Sequence, residues 1–127
     1  MSLDKAPITV TLPVTNVARA RGFYQNKLGL KAAKEPYSGS ASFVTKNGTK
    51  IFLYKRGRTR ADHTVASFYV RDVPGEVRKL KSKGVKFQSY KLPTLTTDKN
   101  NIATWGRMKA AWFKDTEGNI LGLINRP

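Results

Sequence analysis

The chain has 127 residues, no cysteine, and 24 Lys and Arg against 8 Asp and Glu, for a formal net charge of +16. Disulfides, thiolate metal sites and cysteine nucleophiles are therefore excluded. No apolar run is long enough to span a membrane and no signal peptide is recognisable, so a cytoplasmic protein with no membrane association is expected.

A charge of this size attracts polyanions. The basic residues are nevertheless scattered from Lys5 to Arg126, with one dense run at Lys55-Arg56-Gly57-Arg58-Thr59-Arg60. The expectation is a solvated basic surface with non-specific polyanion binding, not a dedicated nucleic-acid site.

Residues 8–14 read as a strand, with Ile8, Val10, Leu12 and Val14 alternating with polar residues and Pro13. Pro13 cannot donate to a ladder, so this strand ends at a sheet edge or leaves the sheet there. Asn16 is a candidate N-cap for a helix to about Leu28, with Val17, Ala20, Phe23, Tyr24 and Leu28 facing the core. A short strand follows at 30–34. Residues 40–46 and 49–55 flank Asn47-Gly48, the strongest short hairpin signal in the chain. A basic linker covers 56–63. A strand at 64–70 then places Ala66, Phe68 and Val70 on one face, and Asp72 and Pro74 open a second helix with Val77 and Leu80 inward, ended by Gly84. A strand is expected at 85–90, a long loop at 92–107, and a closing hairpin around Asp115-Thr116-Glu117-Gly118-Asn119.

The order of elements repeats. Val14-Thr15-Asn16-Val17 returns as Val70-Arg71-Asp72-Val73, Leu28-Gly29-Leu30-Lys31 as Lys83-Gly84-Val85-Lys86, and Asn47-Gly48 as Glu117-Gly118. The reading is one α+β domain over 1–127, made of two βαβββ modules at about 8–55 and 64–125, joined by the 56–63 linker.

The closing hairpin, Ala110-Ala111-Trp112-Phe113-Lys114-Asp115 leading into Gly118-Asn119, resembles that of the vicinal-oxygen-chelate superfamily, which includes glyoxalase I, extradiol dioxygenases and the fosfomycin- and bleomycin-resistance proteins. Phe23-Tyr24, Leu28-Gly29-Leu30 and Val70-Arg71-Asp72-Val73 extend the resemblance over nearly the whole chain. It implies that the two modules form a curved mixed sheet around a central cavity. In the family that cavity holds a divalent metal, bound by residues of each module's first strand and of the last strand. The matching positions here are Thr9, Val65 and Gly122. None supplies the imidazole or carboxylate that such a metal needs. No metal, no cofactor and no catalytic residue are therefore expected. The lone His63 reads as a surface residue.

Strand parity assigns the rest of the cavity face. If Thr9, Val65 and Gly122 face it, so do Thr11, Ser67, Tyr69, Ile120 and Ile124. The repeat matches Gly48 to Gly118 and so adds Phe52 and Tyr54 from the first module, and by the same count matches Ser42 to Trp112, which lies on this surface, while Trp105 on the long loop closes over it. The opposite faces, carrying Val10, Leu12, Ile51, Leu53, Phe68, Val70, Leu121 and Leu123, pack on the helices. Aromatic walls with sparse hydroxyls suit a small-molecule pocket. The competing structural role is barrel filling or a dimer interface.

The favoured function is a metal-free binding protein, similar to the bleomycin-resistance branch and homodimeric as that branch commonly is. Its ligand is neutral or anionic and aromatic or apolar, because a +16 host repels cationic bleomycin. The alternatives are a lyase- or dioxygenase-type enzyme with an atypical site, disfavoured by the lack of an acid-base pair, and a basic nucleic-acid-binding protein, disfavoured by the lack of an RNA-binding motif.

Overall fold

The computed structural model describes residues 3–125, so Arg126 lies outside the described residues. The chain divides into two compact units between Thr59 and Arg60.

In the first unit the strands are β1 (Thr9–Val14), β2 (Lys31–Ala33), β3 (Ala41–Val44) and β4 (Lys50–Lys55), in the order β1-β4-β3-β2. β1 runs parallel to β4, and the other pairs are antiparallel. Pro13 sits in edge strand β1 opposite Tyr54, a place where a missing N–H is tolerated. Ile8, expected in this strand, lies before it and is 79% exposed.

Asn16 caps α1 (Val17–Gly22) by accepting the Arg19 N–H at 2.9 Å. The helix does not continue regularly to Leu28. A π-helical turn follows at Phe23–Lys27, with the Leu28 N–H donating to the Phe23 carbonyl at 3.2 Å. Both neighbours Phe23 and Tyr24 are buried in this wider turn, and Tyr24 stacks on Phe43 at 5.8 Å. Val17 and Leu28 are half-buried.

The second unit has β5 (Thr64–Tyr69), α2 (Val73–Ser82), β6 (Lys91–Leu92), β7 (Leu95–Thr96), β8 (Ala103–Trp105), β9 (Met108–Lys114) and β10 (Ile120–Ile124). Its main sheet has the order β5-β10-β9-β8, and β6-β7 form a separate hairpin. Asp72 caps α2 by accepting the Gly75 N–H at 3.0 Å, and Val73, Val77 and Leu80 are buried.

Two expectations fail in this unit. The strand expected at 85–90 reduces to a single bridge between Phe87 and Phe113. The loop expected at 92–107 instead folds into β6, β7 and β8, and β8 pairs with β9. Short polar contacts explain this. Asp98 Oδ1 accepts the N–H groups of Asn100 and Ile102 at 2.8 and 3.1 Å. Asn101, with φ +68°, donates from Nδ2 to the Gln88 carbonyl and to Ser89 Oγ. The chain is thereby turned back against 88–89 and delivered to the edge of β9.

The β9–β10 turn is held by Asp115, whose Oδ1 accepts the N–H groups of Glu117 and Asn119 at 2.8 Å each, while Oδ2 accepts Asn119 Nδ2 at 2.8 Å. Gly118 completes the turn at φ +93°.

The helix-facing core is aliphatic and aromatic, as the alternation predicts: Leu12, Phe43, Ile51 and Leu53 in one unit, Phe113, Leu121 and Leu123 in the other. Val10, Phe68 and Val70, expected in the same core, are only half-buried. Val10 and Phe68 belong to β1 and β5, edge strands of their sheets, and Val70 follows β5 directly. The fold is α+β, built from two tandem βαβββ modules. Among the described residues, no helix is long and apolar enough to cross a membrane.

Candidate functional site

In the second unit the residues of β10 alternate between two faces. Leu121 and Leu123 serve the helix-facing core, which leaves Ile120, Gly122 and Ile124 on the other face. Gly122 pairs with Trp112 on β9 and with Ser67 on β5, so Ser67, Gly122 and Trp112 form one row across the sheet. Tyr69 lies beside Ile124 and is 64% exposed.

Trp112 is the centre of an aromatic cluster. The Tyr90 ring meets it edge-on at 5.5 Å, and the Trp105 ring meets it edge-on at 6.4 Å. Trp105 therefore does reach Trp112, but from strand β8 and not from a loop. Burial raises the Tyr90 phenol above its ordinary value, so the group stays a neutral hydrogen-bond donor across the physiological range. Tyr90 was not among the site residues read from the sequence, because the strand expected at 85–90 gave it no link to Trp112.

Val65 departs from the simple count. The β5–β10 register pairs Thr64 with Ile120 and Ala66 with Leu121, so a bulge falls at Val65 and no residue of β10 opposes it. Counting by twos back from Tyr69 through Ser67 crosses this irregularity unseen.

The metal implied by the family resemblance does not fit these residues. Thr9, Val65 and Gly122 carry no imidazole or carboxylate. The backbone at Gly122 also resists a carboxylate side chain. A Cβ built there would lie 2.6 Å from Ser67 Oγ and 3.4 Å from Trp112 Cδ1. The Ser67 hydroxyl thus takes up the space that a glycine would otherwise leave open. Among the described residues, no three His, Cys, Asp or Glu side chains cluster in a way that could hold a metal. His63 is exposed in the segment before β5.

In the first unit Thr9 and Thr11 are exposed on β1, and Thr11 pairs with Phe52. Phe52 and Tyr54 stack with ring centroids 6.4 Å apart and planes 11° from parallel. Tyr37 extends this group, meeting Phe52 edge-on at 5.8 Å. Sequence reasoning missed Tyr37, since nothing in the exposed segment before β3 ties it to a face.

An open cleft of about 560 Å³ lies in the second unit, lined by Pro93, Thr94, Leu95, Thr96, Thr104 and Trp105. Of these, only Trp105 was read from the sequence as a site residue. A pair of short hairpins builds this cleft from a segment that the sequence presents as loop.

Similar structures share this architecture. TnmS3, an antibiotic-binding protein from a Streptomyces species, is 21% identical, with a TM-score of 0.70 over 97% of each chain. Lactoylglutathione lyase from Agrobacterium tumefaciens is 14% identical, with a TM-score of 0.70 over 95% of this chain and 93% of that one. The fosfomycin resistance protein FosX from Listeria monocytogenes, complexed with Mn(II) and sulfate, is 14% identical, with a TM-score of 0.69 over 97% and 93%. At these identities the likeness concerns the fold. No curated protein sequence matches the chain. The sequence profile of one family does, across residues 7–123. Repeated modules, hairpin chemistry and profile agree, and the chain belongs to the glyoxalase/bleomycin resistance protein/dioxygenase superfamily.

Proposed function

We propose that the protein is a metal-free small-molecule-binding member of this superfamily, and that its ligand is a neutral or anionic aromatic or apolar compound. The observation that carries this reading is Trp112, half-buried, framed edge-on by Tyr90 and Trp105 and set beside the side-chain-free Gly122. Trp112 with two rings set nearly perpendicular to it forms an aromatic wall, and the Ser67 hydroxyl and Tyr90 phenol supply a few polar groups around it. Such a surface holds a ligand by stacking and desolvation. It has no carboxylate or imidazole placed to move a proton, which argues against acid-base catalysis there. Within the fold family, TnmS3 binds an antibiotic, an activity of the proposed kind.

The protein is further proposed to act as a cytoplasmic homodimer. Tyr69, exposed on edge strand β5, is the apolar side chain that supports self-association. Binding of polyanions by the basic surface is expected to be non-specific and to fade with salt.

The test is a fluorescence titration of chelator-treated protein against a panel of neutral and anionic aromatic compounds. Binding by wild type and a loss of at least about 30-fold in Trp112→Ala are expected, the size of an aromatic hot spot. Equal affinity in Trp112→Ala, or binding restored only by added divalent metal, would overturn the reading.

A further inference from the structure

The cleft beside β8 has a chemistry of its own. Pro93, Leu95 and Trp105 give it an apolar wall, and Thr94, Thr96 and Thr104 give it hydroxyls. Trp105 is 41% exposed although its ring also meets Trp112. The indole therefore serves two surfaces, the sheet face on one side and the cleft on the other.

One end of the cleft is polarised. Lys109 Nζ donates to Thr104 Oγ1 at 3.2 Å, across the β8–β9 pair in which these two residues are directly opposed. A hydroxyl that accepts from an ammonium keeps its own O–H free to donate elsewhere. The ammonium has two further N–H groups. Thr104 lines the cleft, so the Lys109 ammonium lies one hydrogen bond away from a lining residue.

Thr96 is oriented differently. Its hydroxyl donates to the Leu92 carbonyl at 3.2 Å, which leaves lone pairs and no proton for a ligand. The hairpin adds charge of the same sign, since Lys91 pairs directly with Thr96. Asp98 is the sole acidic residue in the sequence between 88 and 107, and its Oδ1 is already engaged by the N–H groups of Asn100 and Ile102.

We infer that this cleft is a binding site for a small aromatic carboxylate, its ring against Trp105, Pro93 and Leu95 and its carboxylate at Thr104 and Lys109. The volume of about 560 Å³ falls in the range of small-molecule sites. The inference goes beyond the sheet-face reading and does not depend on it, because Trp112 does not line the cleft.

The probes are 2-naphthoate and its neutral counterpart 2-naphthamide, titrated by amide-resolved NMR into wild type, Lys109→Met, Lys109→Arg and Trp112→Ala. Wild type is expected to bind naphthoate at least about tenfold more tightly than naphthamide, as a charge-assisted hydrogen bond to carboxylate implies. The amide signals of Thr94, Leu95, Thr96 and Thr104 should shift. Lys109→Met should erase the preference for the acid, Lys109→Arg should keep it, and naphthamide should bind all three alike. Trp112→Ala removes a ring that Trp105 meets, so naphthoate in the cleft should weaken, but far less than sheet-face binding does.

No binding of naphthoate, no preference over the amide, or shifts confined to Tyr90 and Trp112 would each overturn the assignment. Loss of naphthoate in Lys109→Met with sheet-face binding intact supports it. Loss of sheet-face binding alone, in Trp112→Ala, bears on the earlier reading and not on this one.

Discussion

The two units are the same module built twice, and they differ on one face. On the helix-facing side the match is close. The register that sets Gly48 on Gly118 also sets Phe43 on Phe113, Ile51 on Leu121 and Leu53 on Leu123, all buried. Each central phenylalanine has an aromatic neighbour, Tyr24 for Phe43 and Phe87 for Phe113. On the open side the same register sets Ser42 on Trp112 and Phe52 on Gly122. The first unit fills its sheet face with Phe52, Tyr54 and Tyr37. The second sets Gly122 beside Trp112, carries Trp105 on β8, and adds the β6–β7 hairpin. The helix side is constrained by close packing, so both copies keep it. The open side is free to diverge, and the proposed binding chemistry lies in the copy that carries Trp105 and Trp112.

The largest expected effect breaks what the units share. Phe43→Ala and Phe113→Ala should each lower stability by about 3–5 kcal/mol, since both side chains are almost fully buried. Chemical denaturation measures this, and a cost below about 1 kcal/mol in either would show that the two cores are not equivalent.

A second substitution removes the difference on the open face. Gly122→Phe makes the second unit resemble the first, but its Cβ would meet Ser67 Oγ at 2.6 Å and the ring would displace the ligand beside Trp112. Loss of aromatic ligand binding by about 100-fold and a destabilisation of about 1–3 kcal/mol are expected. Retention of binding by this variant, read by fluorescence titration, would place the ligand elsewhere.

The caps sharpen the likeness at a smaller scale. Asn16→Ala and Asp72→Ala each remove one side-chain acceptor from a helix N-terminus, and each should cost about 1 kcal/mol in the same denaturation assay. Unequal losses would mean that the π-helical turn after α1 changes how that helix responds.

The smallest effect is a pH dependence peculiar to the second unit. Burial raises the Tyr90 phenol above its ordinary value near 10. The folded state then holds a proton that the unfolded chain releases first. The associated stability is fully present below the unfolded value and is lost as pH rises through the folded one. Stability should therefore fall above about pH 10 in wild type, and Tyr90→Phe should fall less steeply over that range. Parallel curves for the two proteins would remove Tyr90 from this account.

Much of the fold was legible because its signals are local. Asn47-Gly48, the Asp115–Asn119 turn and the caps at Asn16 and Asp72 each act within a few residues, and each forms where the sequence places it. What could not be read depends on distant partners. β8 exists because Asn101 binds back to Gln88 and Ser89, and no periodicity in a three-residue strand announces it. The bulge at Val65 breaks the period of two without leaving a mark in the residue types. That Ser67, Gly122 and Trp112 share one face was foreseeable from strand parity and the repeat, but their alignment in one row depends on the register between strands. Tyr90 and the cleft were not foreseeable, because both depend on the β6–β7 hairpin and on strand β8.

The central claim is that the second unit binds an aromatic ligand without a metal. A native mass spectrum of gently purified protein, with metal analysis of the same sample, tests it most directly. The account predicts a small organic adduct and no stoichiometric divalent metal, with the adduct absent from Trp112→Ala. A stoichiometric divalent metal, or an adduct that persists undiminished in Trp112→Ala, would contradict it.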